Sequence, residues 1–115
     1  MARSGYIDPL DMDFGDCFPV LGSLRGSSPL KVARWEEAQR RYRAFTDRFI
    51  RPVALDIDRR SRRDHDYLAW DFCRSAAEER MLSIIIPPMF GGQGADLVEF
   101  AIMLEELCSG CTGLG

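Results

Sequence analysis

Two adjacent glutamates, Glu105 and Glu106, and one histidine, His65, are the residues of this 115-residue chain whose types best suit acid–base chemistry. Two carboxylates can act as general acid and base only if both reach the same substrate. Apolar spacing predicts a helix over residues 97–108, and neighbours on a helix point about 100° apart, so the glutamates do not share a site. His65 stands in a charged stretch with no nucleophile near it in sequence. No catalytic residue is predicted.

Four cysteines, Cys17, Cys73, Cys108 and Cys111, raise the questions of redox and metal chemistry. Cys108 and Cys111 have the spacing of a redox motif, but such thiols are activated at the N-terminal end of a helix and this pair falls at a predicted C-terminal end. His65 and Cys73 lack the paired spacing of zinc ligands. We therefore predict no metal site and no disulfide framework, and assign the two later cysteines to packing.

A glycine-rich stretch, Gly91-Gly92-Gln93-Gly94, could in principle cradle a phosphate. It lacks the lysine of a P-loop and the spacing of a dinucleotide fingerprint, so a structural turn is the preferred interpretation. Pro87 and Pro88 end the apolar run that precedes it, and glycine permits the backbone angles of a sharp turn. No cofactor-binding residue is predicted.

Three helical segments are predicted to position these residues. Asp96 suits the N-cap of the last one, and Gly110 suits its C-terminal stop. Ser28-Pro29 begins the first one, which Pro52 kinks and which continues to about Asp58. The apolar residues recur at helical spacing: Leu97, Phe100, Ala101, Leu104, Leu107 and Cys108 in the last helix, and Val32, Trp35, Ala38 or Gln39, Tyr42, Phe45 and Phe49 in the first.

The middle helix is predicted to start at an Asp66 cap. Its inward residues are Leu68, Ala69, Phe72, Cys73 and Ala76. Tyr67 and Trp70 lie off this stripe and would suit contact with another domain. The fold class is therefore all-α: a small bundle of about three helices with a kink at Pro52, over residues 29–115, and an irregular N-terminal arm over residues 1–28.

Charge and composition limit the function classes. The net charge is −3, which implies no general affinity for nucleic acid. Residues 31–63 hold 11 basic and 5 acidic side chains, but the arginines at 59, 60, 62 and 63 are spread over the end of a helix and a loop, which predicts a solvated face. No apolar run spans a bilayer and no secretory signal is recognisable, so the expected location is cytoplasmic.

The motifs resemble the N-terminal helical domain of the acyl-CoA dehydrogenase family over roughly residues 31–115. The matching stretches keep the order and spacing of that family: Phe49-Ile50-Arg51-Pro52-Val53-Ala54 with Asp58, Ala76-Ala77-Glu78, Ile86-Pro87, Phe90-Gly91-Gly92-Gln93-Gly94, and Leu104-Glu105-Glu106-Leu107 followed by Gly110-Cys111-Thr112-Gly113. Residues 29–115 are thereby identified as part of such a domain. One departure is that Glu79 and Arg80 stand where family members usually carry a leucine and a helix-ending glycine, so we expect a less sharp helix end.

The resemblance implies an FAD-dependent enzyme of fatty acid metabolism, a flavoprotein oxidoreductase that oxidises the Cα–Cβ bond of an acyl-CoA with a glutamate base. In the family, the base and the flavin contacts belong to later domains, and complete members are commonly homo-oligomers. No FAD is expected on residues 1–115 alone, which would then be inactive. The turn after Gly110 approaches the acyl pocket in the family, which implies that Leu114 and Gly115 are the substrate-pocket rim.

Two alternatives stay open. The chain could be a helical interaction module that docks on a separate flavin-bearing subunit, or the first part of a related acyl-CoA oxidase or flavin monooxygenase. In either case an apolar surface is expected to be exposed on residues 1–115 alone.

Overall fold

The computed structural model describes residues 11–114 of the chain. Within that range all regular structure is helical, with no β-strand, so the all-α prediction is confirmed. Contacts group the chain into two compact units, whose described parts are residues 11–37 and 38–114. The α-helices are α1 (Phe14–Cys17), α2 (Pro19–Ser23), α3 (Pro29–Phe45), α4 (Ala54–Arg63), α5 (Trp70–Glu78) and α6 (Leu97–Gly110).

The N-terminal arm is more regular than its sequence predicts. Two short helices, α1 and α2, occupy part of it, and residues 1–10 lie outside the described residues. Asp13 and Asp16 form a reciprocal cap at the start of α1, each carboxylate accepting a hydrogen bond from the other residue's amide at 2.9 and 3.2 Å. Pro19 begins α2 at the position where its missing N–H costs nothing. Helices of four and five residues are too short to produce a detectable apolar period.

The long first helix begins at Pro29, as predicted, and its apolar stripe is buried. Tyr42 is 0% exposed, and both Ala38 and Gln39, the two residues offered for one position of the stripe, are buried. The full set with its exposure is Val32 1%, Trp35 6%, Ala38 5%, Tyr42 0% and Phe45 5%, and Phe49 is half-buried. The three-four spacing therefore identified the inner face of α3 correctly.

The predicted kink at Pro52 is a full interruption. A π-helical turn, Thr46–Ile50, follows α3, and the Arg51 amide donates to the Thr46 carbonyl at 3.0 Å. Pro52 has no N–H to donate, and its ring excludes the carbonyl four residues earlier, so the α-helical ladder cannot continue through it. The chain turns over residues 51–53 before α4 begins.

The arginines at 59–63 lie on α4 and not partly in a loop. We expected the helix to end near Asp58, but it runs to Arg63. Arg60 and Arg62 pair with Asp56 and Asp58, each one turn earlier, at 2.8 and 3.2 Å. An acidic residue four positions before a basic one stabilises a helix. These ion pairs extend α4 past Asp58, although no apolar periodicity continues beyond Ile57.

The α5 helix starts later than predicted, and Asp66 does not cap it. The N-cap residue is Ala69, which makes no side-chain cap. Instead the Asp66 amide donates to the Asp64 carboxylate at 3.0 Å, closing a local turn before the helix. Leu68, predicted to point inward, is 52% exposed, whereas Ala76 is buried.

The core of the second unit is formed by α3, α5, α6 and the segments that join them. Asp96 caps α6 as predicted, accepting from the Glu99 amide at 2.8 Å. Two 3-10 turns, Met81–Ser83 and Pro88–Phe90, shape the connection from α5. The buried cluster consists of Ala38, Tyr42, Phe45, Ile50, Ala76, Met81, Ile84, Met103 and Leu107. None of the described helices is long and apolar enough to cross a membrane.

Candidate functional site

The glycine turn, residues 91–94, follows the second 3-10 turn and returns the chain towards the start of α6. Gly91 and Gly94 have φ of 82° and 62°, the left-handed region that favours glycine. A Cβ on Gly92 would lie 1.9 Å from the carbonyl oxygen of Ile86, so no other residue fits there without opening the turn. The turn therefore depends on its glycines, as the sequence indicated.

The amides of the glycine turn donate to carbonyls of the preceding segment. Gly91 donates to Pro88 at 2.9 Å and Gly92 to Pro87 at 3.2 Å. Gln93 donates to Ser83 at 3.1 Å, and Gly94 donates to Ile86 at 2.9 Å. A phosphate cradle needs amides that point at the ligand. These amides are already bonded within the chain, which supports the structural interpretation of the turn.

Gln93 connects the glycine turn to two helices. Its Oε1 accepts from Arg41 Nη1 of α3 at 2.9 Å, and its Nε2 donates to the Arg80 carbonyl at 2.6 Å. Arg41 also donates to the Glu79 carbonyl at the end of α5. One glutamine side chain thus uses both its acceptor and its donor to hold the turn against α3 and the end of α5.

Arg80 takes the conformation that glycine would normally supply at the end of α5. The helix ends at Glu78, and Arg80 has φ of 60° and ψ of 23°. The end is therefore sharp, contrary to the expectation of a less sharp end. The Arg80 guanidinium donates to the Gly91 carbonyl at 2.9 Å, and its own carbonyl accepts from Ser83 and Gln93. These contacts compensate for an unfavourable backbone conformation.

The two adjacent glutamates point in different directions, as helix geometry predicts. Glu105 is exposed, whereas Glu106 is 5% exposed and forms a two-point ion pair with Arg43 of α3. The Glu106 carbonyl also accepts from Thr46 Oγ1 at 3.0 Å and from Ser109 Oγ at 2.7 Å. A carboxylate held in this way fixes α6 against α3.

The C-terminal end of α6 is held close to the π-helical turn. Arg51 donates to the carbonyl and the hydroxyl of Ser109 at 3.1 and 2.9 Å, which places a positive charge at the end of the helix. A Cβ on Gly110 would lie 2.5 Å from Thr46 Cγ2, so glycine is required for this approach. Gly110 was predicted to end α6, and it is the last residue of the helix.

Of the two residues implied as a substrate-pocket rim, the structure describes Leu114. It is half-buried and packs against the core cluster, and its amide donates to the Cys111 carbonyl at 3.1 Å. Gly115 lies outside the described residues. Cys108 and Cys111 are half-buried free thiols at the end of α6, and Cys111 packs against the core.

The other candidate groups are not brought together. His65 is exposed between α4 and α5. Among residues 11–114 no three His, Cys, Asp or Glu side chains converge in a way that could hold a metal ion.

A cavity of about 400 Å³ lies beside α4 and α5 and was not identified from the sequence. Aromatic and aliphatic side chains form much of its wall, with charged groups beside them. The sequence feature that pointed to it was the position of Tyr67 and Trp70 outside the apolar stripe of the middle helix. Trp70 lines the cavity and is 61% exposed.

An apolar segment, residues 82–97, exposes large side chains and carries one charged residue, Asp96. Its exposed members are Leu82 71%, Ile85 50%, Ile86 39%, Met89 81%, Phe90 73% and Leu97 77%. Surfaces depleted in charge and rich in such residues are typical of contacts between domains or subunits.

Comparisons with known proteins point to one family. Residues 34–115 match the family model described as acyl-CoA dehydrogenase, N-terminal domain. Over 66 residues the chain is 29% identical to the 3-sulfinopropanoyl-CoA desulfinase of Paraburkholderia xenovorans (strain LB400). That stretch is 57% of this chain and 16% of the relative, so the chain spans less than a fifth of the relative's length. No solved structure matches the chain.

Proposed function

Because the chain belongs to the acyl-CoA dehydrogenase family, we propose that it is the N-terminal part of an FAD-dependent enzyme that oxidises the Cα–Cβ bond of an acyl-CoA. The observation that carries the proposal is the match of residues 34–115 to the N-terminal domain of that family. The glycine turn, the Pro52 interruption and α6, which carry the resemblance in sequence, all lie inside the matched region.

Neither the glycine turn nor the buried glutamate of α6 offers free groups to a flavin or a substrate. The glycine turn has no free amides for a pyrophosphate, since its four amides donate to carbonyls of the chain. The buried carboxylate of Glu106 is bound by Arg43 and is not available as a base. We propose that the chemistry belongs to other parts of the complete enzyme and that this chain supplies the helical domain, with Leu114 and Gly115 at the rim of the acyl pocket.

We also propose the substrate class, the assembly and the location of the complete enzyme. The complete enzyme would act on an acyl-CoA, assemble as a homo-oligomer and work in the cytoplasm. The substrate in the relative's name, 3-sulfinopropanoyl-CoA, is also an acyl-CoA, but the reaction in its name is a desulfination. The substrate class and the reaction type are therefore separate parts of the proposal. Oxidase, monooxygenase and desulfinase chemistries are the alternatives on the same domain.

A second candidate function is an interaction module that docks on a separate flavin-bearing subunit. The exposed apolar segment 82–97 favours it, because such a surface is stabilised by burial against another polypeptide. The first candidate needs the same surface to contact other domains of one polypeptide. The two candidates therefore differ in whether the flavin domain is covalently attached.

The test compares the purified 115-residue chain with a version extended into the coding sequence that follows it. We expect flavin absorbance and dye-coupled oxidation of acyl-CoA in the extended protein and neither in the short chain. FAD binding or turnover by the short chain alone would contradict the proposal. Sulfite release from 3-sulfinopropanoyl-CoA without dye reduction would favour a desulfinase. Activity that appears only on mixing the short chain with a separately encoded flavoprotein would favour the interaction module.

A further inference from the structure

The cavity beside α4 and α5 has the features of a small-molecule site. Its volume, about 400 Å³, falls in the usual range for ligand pockets. Four aromatic side chains line it, Phe49, Tyr67, Trp70 and Phe72. Aromatic rings stack on flat ligands. Covering the exposed apolar surface of a tryptophan at a cavity wall is favourable, because it removes that surface from water. None of these residues belongs to the glycine turn or to the end of α6.

Within the part of the chain that the structure describes, some of the charged side chains that line the cavity have an ion-pair partner, and one does not. Arg60 pairs with Asp56 at 2.8 Å, and Asp71 pairs with Arg74 at 3.6 Å. Arg48 also lines the cavity and is exposed, with its guanidinium 4.8 Å from the centre of the Phe49 ring. Among residues 11–114 it has no carboxylate partner. The stacking on Phe49 holds a guanidinium beside an aromatic wall with its donors available.

We infer that this cavity binds an aromatic carboxylate, with the ring against Trp70 and Tyr67 and the carboxylate on Arg48. A guanidinium offers paired donors in a planar fork that matches a carboxylate, and this geometry favours a carboxylate over a neutral group. Asp71 opposes an anion, but its side chain is fully exposed and water screens its charge. The site is independent of the acyl-CoA chemistry proposed above.

The binding experiment uses 2-naphthoate as the probe and the indole N–H signals of the purified chain as the readout. The chain has two tryptophans, so two indole signals are expected in a ¹⁵N–¹H correlation spectrum. Trp70→Phe assigns them without altering the buried Trp35. We expect 2-naphthoate to shift the Trp70 signal in a saturable way while the Trp35 signal moves less. The cationic analogue 2-naphthylmethylamine should bind at least ten-fold more weakly.

Three charge variants distinguish the site from general hydrophobic adsorption. Arg48→Gln should weaken 2-naphthoate binding about ten-fold, because a charge-assisted pair is replaced by a neutral contact. Asp71→Asn should strengthen it about two-fold. Arg59→Gln, a matched exposed arginine on α4 that does not line the cavity, should change it less than two-fold. The same spectra show whether each variant is folded.

Three results would overturn the inference. The first is the absence of a saturable shift at Trp70 with 2-naphthoate. The second is equal binding of the anionic and cationic probes, which would mean adsorption to an apolar wall. The third is an equal loss of affinity in Arg48→Gln and Arg59→Gln, which would mean that only the general charge of the surface matters.

Discussion

Arg43 and Glu106, 63 residues apart in sequence, form a two-point ion pair between α3 and α6. Arg43 Nε lies 3.1 Å from Oε2 and Nη2 lies 3.0 Å from Oε1. The glutamate side chain is 7% exposed and the arginine side chain 22% exposed. The pair is thus nearly buried on its acidic side and partly open on its basic side.

This asymmetry predicts unequal effects of removing the two partners. Arg43→Ala should lower the free energy of unfolding by about 3 kcal/mol, because it leaves a buried carboxylate without a cation. Glu106→Ala should cost about 2 kcal/mol, since the arginine can turn towards water. Urea denaturation followed by circular dichroism measures both. Glu105→Ala is the matched control and should stay within about 0.5 kcal/mol of the wild type, as an exposed neighbour does. A loss for Glu105→Ala as large as that for Glu106→Ala would contradict the geometry.

Gly110 allows α6 to approach the π-helical turn. Gly110→Ala should destabilise the fold by about 1–3 kcal/mol, because its Cβ would lie 2.5 Å from Thr46 Cγ2 and 2.9 Å from Ile50 Cγ2. Helix propensity alone predicts the opposite sign, a gain of about 1 kcal/mol for alanine inside a helix. The control is Gly113→Ala, whose nearest atom would be Cys111 Sγ at 4.0 Å. A thermal melt in which Gly110→Ala is more stable than the wild type would refute the close approach.

Arg80 has a strained left-handed backbone, and its side chain donates a hydrogen bond to the Gly91 carbonyl. Two substitutions separate the effects of the backbone and the side chain on stability. Arg80→Ala keeps the left-handed backbone and loses the hydrogen bond to Gly91, whereas Arg80→Gly loses the bond and relieves the strain. We expect Arg80→Gly to be more stable than Arg80→Ala by about 1 kcal/mol. Chemical denaturation of the two variants side by side gives this difference. Equal stabilities would show that residue 80 does not adopt positive φ in solution.

Asp96 and Asp66 were both interpreted as helix caps, and only Asp96 serves as one. Asp96→Ala should cost about 1 kcal/mol, because the Glu99 amide loses its acceptor. Asp66→Ala should cost less than about 0.5 kcal/mol, because the turn before α5 uses the Asp66 amide and the Asp64 side chain. Denaturant midpoints compare the two variants directly. A larger loss at Asp66 than at Asp96 would reverse the assignment.

Several expectations from the sequence remain predictions. Leu114 packs against the core, and its position with Gly115 at the rim of the acyl pocket stays a prediction. The domain boundary predicted between residues 28 and 29 is likewise untested, and the contacts divide the chain after Glu37. The family assignment and the all-α fold, by contrast, are confirmed.

The sequence by itself determined the features that depend on a few neighbouring residues. The start at Pro29, the cap at Asp96, the interruption before Pro52 and the glycine turn each follow from the steric or hydrogen-bonding limits of those residue types. The buried stripe of α3 followed from spacing alone, because the side chains of one helical face repeat every three or four residues.

Only the tertiary structure decided which distant groups meet. Arg41 bonds Gln93 across 52 residues, and Arg43 bonds Glu106 across 63, and no local pattern marks either partner. The left-handed Arg80 is possible because Gly91 and Gln93 contact it. The cavity exists because the π-helical turn, α4, α5 and the segment between these two helices each contribute part of its wall. Local residue types limit the backbone within a few residues, whereas packing selects among the long-range contacts that those limits leave open.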